Sequence, residues 1–185
     1  MKKFILSVAA ALVSTFTFAQ DWVLDKAHAN VSFTIVHLKI SEVDGNFGKF
    51  DAKMTSSKED FSDAVFEFTA EASSINTGNE RRDGHLRSDD YFGAEKFPTL
   101  SFKSTSVKKV SGNNYQIVGN LTMRGVTKPI TLNATFRGPI EGRQGKKIVG
   151  IKATGTVNRV EFGVGKSGAA VDDEVEIKVS GEFSK

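Results

Sequence analysis

The 185-residue sequence predicts an all-β, antiparallel domain. Three observations carry that expectation. Apolar and polar residues alternate with a period of two over many segments. Glycine, asparagine, aspartate and proline fall between those segments, where hairpins need them. One long, charged stretch, residues 74–97, breaks the rhythm.

The chain opens with Met1-Lys2-Lys3, an apolar run from Phe4 to Val13, and then Ser14-Thr15-Phe16-Thr17-Phe18-Ala19. A basic start, a short apolar core and small residues at Thr17 and Ala19 read as a cleavable export signal cut after Ala19. The apolar core is shorter than the ~20 residues of a spanning helix. Without residues 1–19 the 185 residues become 166, the size of one domain with a sizeable core. The signal removes Lys2 and Lys3, so 25 basic residues become 23 against 22 acidic ones. A net charge near zero gives no electrostatic motive for nucleic acid. The absence of cysteine excludes disulfides, thiol catalysis and Cys-ligated metal.

Strands are expected at 22–27, 31–38 and 47–57. The next is a stripe of Ala64, Phe66, Phe68, Ala70 and Ala72 set against Glu67, Thr69, Glu71 and Ser73. One follows at 98–105, then Tyr115, Ile117, Gly119, Leu121 and Met123 form a stripe, as do Ile130, Leu132, Ala134 and Phe136. The last two are 147–157 and the stripe Val175, Ile177, Val179, Gly181 and Phe183. Turns are expected at Asp44-Gly45, Ser111 to Asn114, Gly138-Pro139 and Glu141 to Gly145. Residues 74–97 are too long for a plain connection. Leu86, Tyr91, Phe92 and Phe97 argue that they form a packed loop with one or two short helical turns. Eight or nine such strands close as a barrel or pack as a sandwich. Ala70, Gly119, Ala134 and Ala153 sit mid-stripe, where they either leave room for a slender ligand or let the sheet bend.

Few constellations could carry chemistry. His37 ends the inward stripe Val31–Phe33–Ile35, so it is either a core histidine satisfied by backbone or a polar tip at a cavity mouth. Arg81, Arg82, Asp83, His85, Arg87, Asp89 and Asp90 lie beside Leu86, Tyr91 and Phe92, as a ligand mouth or as a solvated surface loop. Asn158-Arg159 follows a strand, and the Arg159 fork suits phosphate or carbonyl oxygens. Gly163 to Gly168 resembles a phosphate-binding loop but fails it, because Val160 stands where glycine is required and strand-like residues follow. His28, His37 and His85 are the only histidines; His28 and His37 are nine apart on one extended segment, so a shared metal would require distant parts of the chain to converge. No serine elbow or H-E-x-x-H pattern is present.

Several motifs together resemble the YceI-like family of exported, lipocalin-like proteins over nearly the whole chain after the signal. They are Asp25-Lys26-Ala27-His28 with Val31-Ser32-Phe33 and His37, Gly45-Asn46-Phe47, Ser74 to Gly78, and Arg82 to Ser88. Phe97 to Ser104, Gly119 to Pro129, and Asn158-Arg159 with Phe162-Gly163 complete the set. Ala29, Glu161, Tyr91 and Gly93 depart from the family's usual residues near the expected mouth. The resemblance implies an antiparallel lipocalin-like β-barrel of about eight strands with the partly helical loop 74–97. It also implies an interior that accepts a polyisoprenoid chain, and homodimers.

The expected function is therefore that of a non-enzymatic carrier of an isoprenoid-type lipid, such as a polyprenyl phosphate or a prenyl quinone, with no cofactor and no metal. His37, Asp83, His85, Arg87, Asn158 and Arg159 are the expected headgroup residues, with Phe33, Phe66, Phe68 and Phe92 as the wall. Two alternatives stand beside it. One is an enzyme using His37, His85 and Asp83 as acid–base groups on a bound amphiphile. The other is a stress-related structural module with a filled barrel. The expected partners are the lipid, transient membrane contact and a second copy of the chain. The expected location is the periplasm, or outside the cell where there is no outer membrane.

Overall fold

The period-two segments build ten strands in the computed structural model, which describes residues 20–185; the expected export signal lies outside the described residues. In order they are β1 (Gln20–His37), β2 (Ser41–Phe47), β3 (Phe50–Ser56), β4 (Val65–Glu71), β5 (Ile75–Asn76), β6 (Thr99–Ser111), β7 (Asn114–Met123), β8 (Val126–Glu141), β9 (Lys147–Asn158) and β10 (Val171–Ser184). A single α-helix, α1 (Glu80–Arg87), lies between β5 and β6.

All pairings are antiparallel, and the order β1–β3–β4–β6–β7–β8–β9–β10 closes through β10 onto β1. The result is a closed eight-stranded barrel. Strand β1 is long enough to serve two partners on one edge. Gln20–Val23 pair with β3, while Ser32–His37 pair with β2. Strand β2 in turn carries β5 through Phe47 and Ile75, which fixes where the loop before α1 begins.

One end of the barrel is packed shut. Trp22, Met54, Phe61, Tyr115, Phe136 and Phe183 are buried there. Tyr115 stacks on Phe136 with ring centroids 4.2 Å apart, and Phe61 meets both Phe136 and Trp22 at 5.5 and 5.4 Å. Asp63 ties the 57–63 segment across this end by accepting from the hydroxyls of Ser56 and Ser57 and from the backbone N–H of Ser57 and Lys58. Partial burial disfavours its charge, but these donors outweigh it and hold the carboxyl well below the usual carboxylate range. The opposite end carries the β1–β2 turn, α1 with its flanking loops, and residues 159–170.

Four expectations need correction. The expected strand 47–57 is two elements, because Phe47 ends β2 and β3 begins only at Phe50. Asp44-Gly45 does not turn the chain; it lies inside β2, where Gly45 faces Phe33 across the ladder. A Cβ on Gly45 would stand 2.2 Å from Phe33 Cζ, so the glycine is there to admit the ring. Gly138-Pro139 is likewise no turn. It is an irregularity within β8, where the register with β9 shifts between Arg137 and Ile140. Expected strands 22–27 and 31–38 are one strand, because residues 26–29 bulge from the β10 ladder without ending it. The Asp25 carboxylate accepts the Ala27 N–H at 2.9 Å inside that bulge.

Candidate functional site

Between the packed end and α1 the inward side chains enclose a cavity of about 450 Å³, within the ~300–1,000 Å³ typical of small-molecule sites. Its wall is built by alternation, since each strand sends every second residue inward. Phe33, Phe66, Phe68, Phe92, Phe102 and Leu121 line it, with Ile177 and Val179 from β10. Space remains because several lining positions are small, Ala52, Ala70, Ala153 and Gly181 among them. Ala70 on β4 and Ala153 on β9 both border the cavity, and their strands stand opposite each other in the barrel. Gly119 and Ala134, grouped with them by position alone, have other roles. Gly119 lies under the Phe102 ring, with a built Cβ only 2.4 Å from Cζ, and Ala134 faces Tyr115 in the packed end.

Polar groups gather at the mouth. His37, at the end of β1, lines the cavity, and no side-chain hydrogen bond to its ring is found among the described residues. His85 projects from α1 beside Tyr91, their rings edge-to-face at 4.9 Å, with Asp90 3.5 Å from Nε2. Arg82 and Thr77 also border the opening. Sequence reasoning grouped Arg82 with the loop charges but did not select it; its position one turn before His85 on a short helix was the available signal.

Four expected headgroup residues are engaged with the protein itself. Asp83 is buried and accepts from the Thr77 N–H at 2.9 Å and hydroxyl at 2.5 Å. Arg82 donates to the same threonine through Nε and Nη2, at 2.7 and 2.8 Å. Arg87 donates to the carbonyls of Ser73 and Ile75 at 2.9 and 3.1 Å. With Asn79 capping the helix by accepting the Arg82 N–H, these bonds rivet α1 to β5. Asn158 accepts the N–H groups of Val160 and Glu161, turning the chain out of β9.

Arg159 borders the cavity but is only 6 % exposed. It donates to the carbonyls of Asp172, Val164, Lys166 and Val171 at 2.8, 2.9, 3.0 and 3.3 Å, and reaches the Asp173 carboxylate at 3.4 Å. Its fork therefore organises the 159–173 segment. Of the acid–base trio of the enzymatic alternative, His37 and His85 share the mouth while Asp83 faces Thr77.

The histidines do not assemble a metal site among the described residues. A grouping of Asp25, His28 and Glu182 occurs on the exposed outer surface at the β1 bulge. There the Asp25 carboxylate, 2.8 Å from His28 Nδ1, raises the imidazole above its ordinary pKa and is itself lowered by that bond.

Comparison with known proteins agrees with this architecture. The YceI-like domain family matches residues 22–183. A UPF0312 protein of Staphylococcus aureus (strain USA300) is 36 % identical over 182 residues, covering 93 % of this chain and 98 % of its own. The crystal structure of a Campylobacter jejuni YCEI protein is 28 % identical, with a TM-score of 0.73 over 100 % of this chain and 99 % of that one. Burkholderia cenocepacia BcnA shares the fold, with a TM-score of 0.78 at 23 % identity over 86 % of this chain and 98 % of that chain. So does a domain from Saccharophagus degradans described as polyisoprenoid-binding, with a TM-score of 0.63 at 12 % identity, covering 88 % and 97 % of the two chains.

Proposed function

The chain belongs to the YceI-like family, and from that premise we propose that it is a carrier holding the tail of an isoprenoid-type lipid inside its barrel. The observation that supports this most is the cavity itself, predominantly apolar along its wall, with His37, Arg82 and His85 bordering it at the mouth. The Saccharophagus degradans domain, described as binding polyisoprenoids, has the same kind of barrel and adds support.

Affinity in such a site comes from removing the tail from water, about 0.8 kcal/mol for each buried methylene. Ordering the chain and the partners offsets much of that sum. Selectivity falls to the mouth, where His37, His85 and Arg82 border the opening and have donors for a phosphate or quinone oxygen. Asp83, Arg87, Asn158 and Arg159 act by holding the loops that place those groups. Phe33, Phe66, Phe68 and Phe92 act as wall. Export follows from the leader-like residues 1–19, which would put the carrier in the periplasm, or outside the cell where no outer membrane exists.

The test is to purify the protein from its native host, extract it with organic solvent, and identify co-purifying molecules by mass spectrometry beside a denatured control. A stoichiometric prenyl lipid or quinone is the expected result. Repeated native preparations without lipid, together with failure to bind added geranylgeraniol, would overturn the carrier reading.

A further inference from the structure

We propose that the turn Leu38-Lys39-Ile40 is a membrane-docking element that seats the barrel mouth on the acyl-chain region of a lipid bilayer; the inference rests on the carrier reading. The turn joins His37 at the end of β1 to Ser41 at the start of β2, at the mouth end of the barrel. Leu38 is 51 % exposed and Ile40 84 %. The other large exposed hydrophobic residues among the described ones, Val23, Val65, Val110 and Ile140, lie toward the packed end. Apolar exposure at the mouth is thus concentrated on one three-residue tip.

That tip is an unlikely place for apolar residues on conformational grounds. Leu38 and Lys39 have φ of 50° and 61°, a left-handed pair that hairpin turns usually fill with asparagine or glycine. The tip is also braced, because the Leu38 N–H donates to the Ala170 carbonyl at 2.9 Å. Ala169 and Ala170 are exposed beside it, and Val171 and Val43, just behind, line the cavity. A continuous apolar path therefore leads from the cavity wall, over the lip, to the outermost side chains. A prenyl tail leaving a bilayer along this path would not have to cross water.

A bilayer fits this patch better than a protein partner does. Two side chains at a turn tip fall far short of the ~800 Å² per partner that a stable interface buries, whereas insertion below lipid headgroups needs only a few apolar side chains. Charge at the lip is largely paired, although Glu42, two residues from Ile40, is exposed with no ion pair among the described residues. Asp172 is paired with Lys39, and Asp173 with Arg159 and the Ser167 hydroxyl.

The decisive comparison is between the wild-type protein and the double variant Leu38→Asn with Ile40→Ser, asparagine being chosen because it tolerates the left-handed backbone. Flotation with cargo-free phosphatidylcholine vesicles, and with equimolar phosphatidylcholine–phosphatidylglycerol vesicles, measures docking alone. Wild type should partition to both, and the variant about tenfold less. The rate of extracting a fluorescent prenol from such vesicles should fall in parallel, while binding of geranylgeraniol in solution stays at the wild-type level. Equal flotation of variant and wild type would overturn the proposal and leave the carrier reading standing. Failure of both to bind geranylgeraniol would sink the carrier reading, while flotation would still decide docking. A dimeric wild type that becomes monomeric in the variant by light scattering would assign the tip to a second copy and also overturn the proposal.

Discussion

Replacing Arg159 by alanine distinguishes a residue that grips a lipid headgroup from one that holds the barrel's lip. The guanidinium is buried and bonded to four carbonyls and a carboxylate of the 159–173 segment. Each bond from a charged donor is worth ~1.5–3 kcal/mol, but the Lys166 carbonyl lies in exposed loop and those of Val171 and Asp172 belong to half-buried residues, so these would rehydrate in part while that of buried Val164 would not. The net loss should be about 3 kcal/mol, the lower end for breaking a buried ionic cluster. For a domain of this size that lowers Tm by about 6–12 °C. Circular dichroism gives the Tm, and titration with geranylgeraniol and geranylgeranyl diphosphate well below it gives the affinities. A holding role predicts a large loss of stability with both ligands affected alike, and Arg159→Lys recovering little, because one ammonium cannot span the fork's acceptors. Gly165→Ala should mimic the defect, since its Cβ would lie 2.7 Å from Arg159 Nη1 and its φ is +71°. An unchanged Tm with selective loss of the diphosphate would refute this reasoning and make Arg159 a headgroup ligand.

Three further outcomes test the wall, the cavity and the packed end. Gly45→Ala places a methyl 2.2 Å from the Phe33 ring and should cost ~1–3 kcal/mol in urea unfolding; adding Phe33→Leu should recover most of it, and strictly additive losses would disprove the contact. Ala153→Phe should fill the cavity from β9, weakening geranylgeraniol binding about tenfold or more, ~1.4 kcal/mol or greater, with Tm held or raised; unaltered binding would put the ligand elsewhere. Asp63 has a depressed folded-state pKa, so its contribution is present above the ordinary carboxylate value of ~3.9 and is lost as pH falls through the depressed one. Asp63→Asn should therefore cost about 1–2 kcal/mol at neutral pH, and the two Tm curves should converge on acidification; parallel curves down to about pH 2 would contradict the assignment.

Most strands were legible in the sequence because burial on one face of a sheet writes itself as alternation, as in Ala64 to Ala72 and Val175 to Phe183, whereas β2 and the two-residue β5 were not expected. The polar stretch 74–97 likewise marked the partly helical loop. Local chemistry misled at Asp44-Gly45 and Gly138-Pro139, where turn-prone residues serve a cross-strand ring contact and a β8 irregularity. A single chain does not say what lies across the sheet from a glycine.

Residue type, position along the chain and motif resemblance nominated the polar candidates, and they did not reveal their partners. Whether a polar side chain borders a cavity or closes on the backbone depends on how distant segments pack: His85 borders the mouth, Arg82 and Arg159 border the cavity while also bonding to carbonyls, and Arg87 only bonds to them. Barrel closure is of the same kind. Alternation is equally compatible with a sandwich, and only the pairing of β1 with both β3 and β10 closes the sheet. The cavity is decided later still: small residues at 70, 119, 134 and 153 looked alike along the chain, yet only Ala70 and Ala153 border the space. The sequence by itself determined which residues alternate and hence that this is an antiparallel β-protein. The tertiary structure alone decided which inward side chains meet and which leave room, because packing depends on neighbours that the chain brings together from far apart.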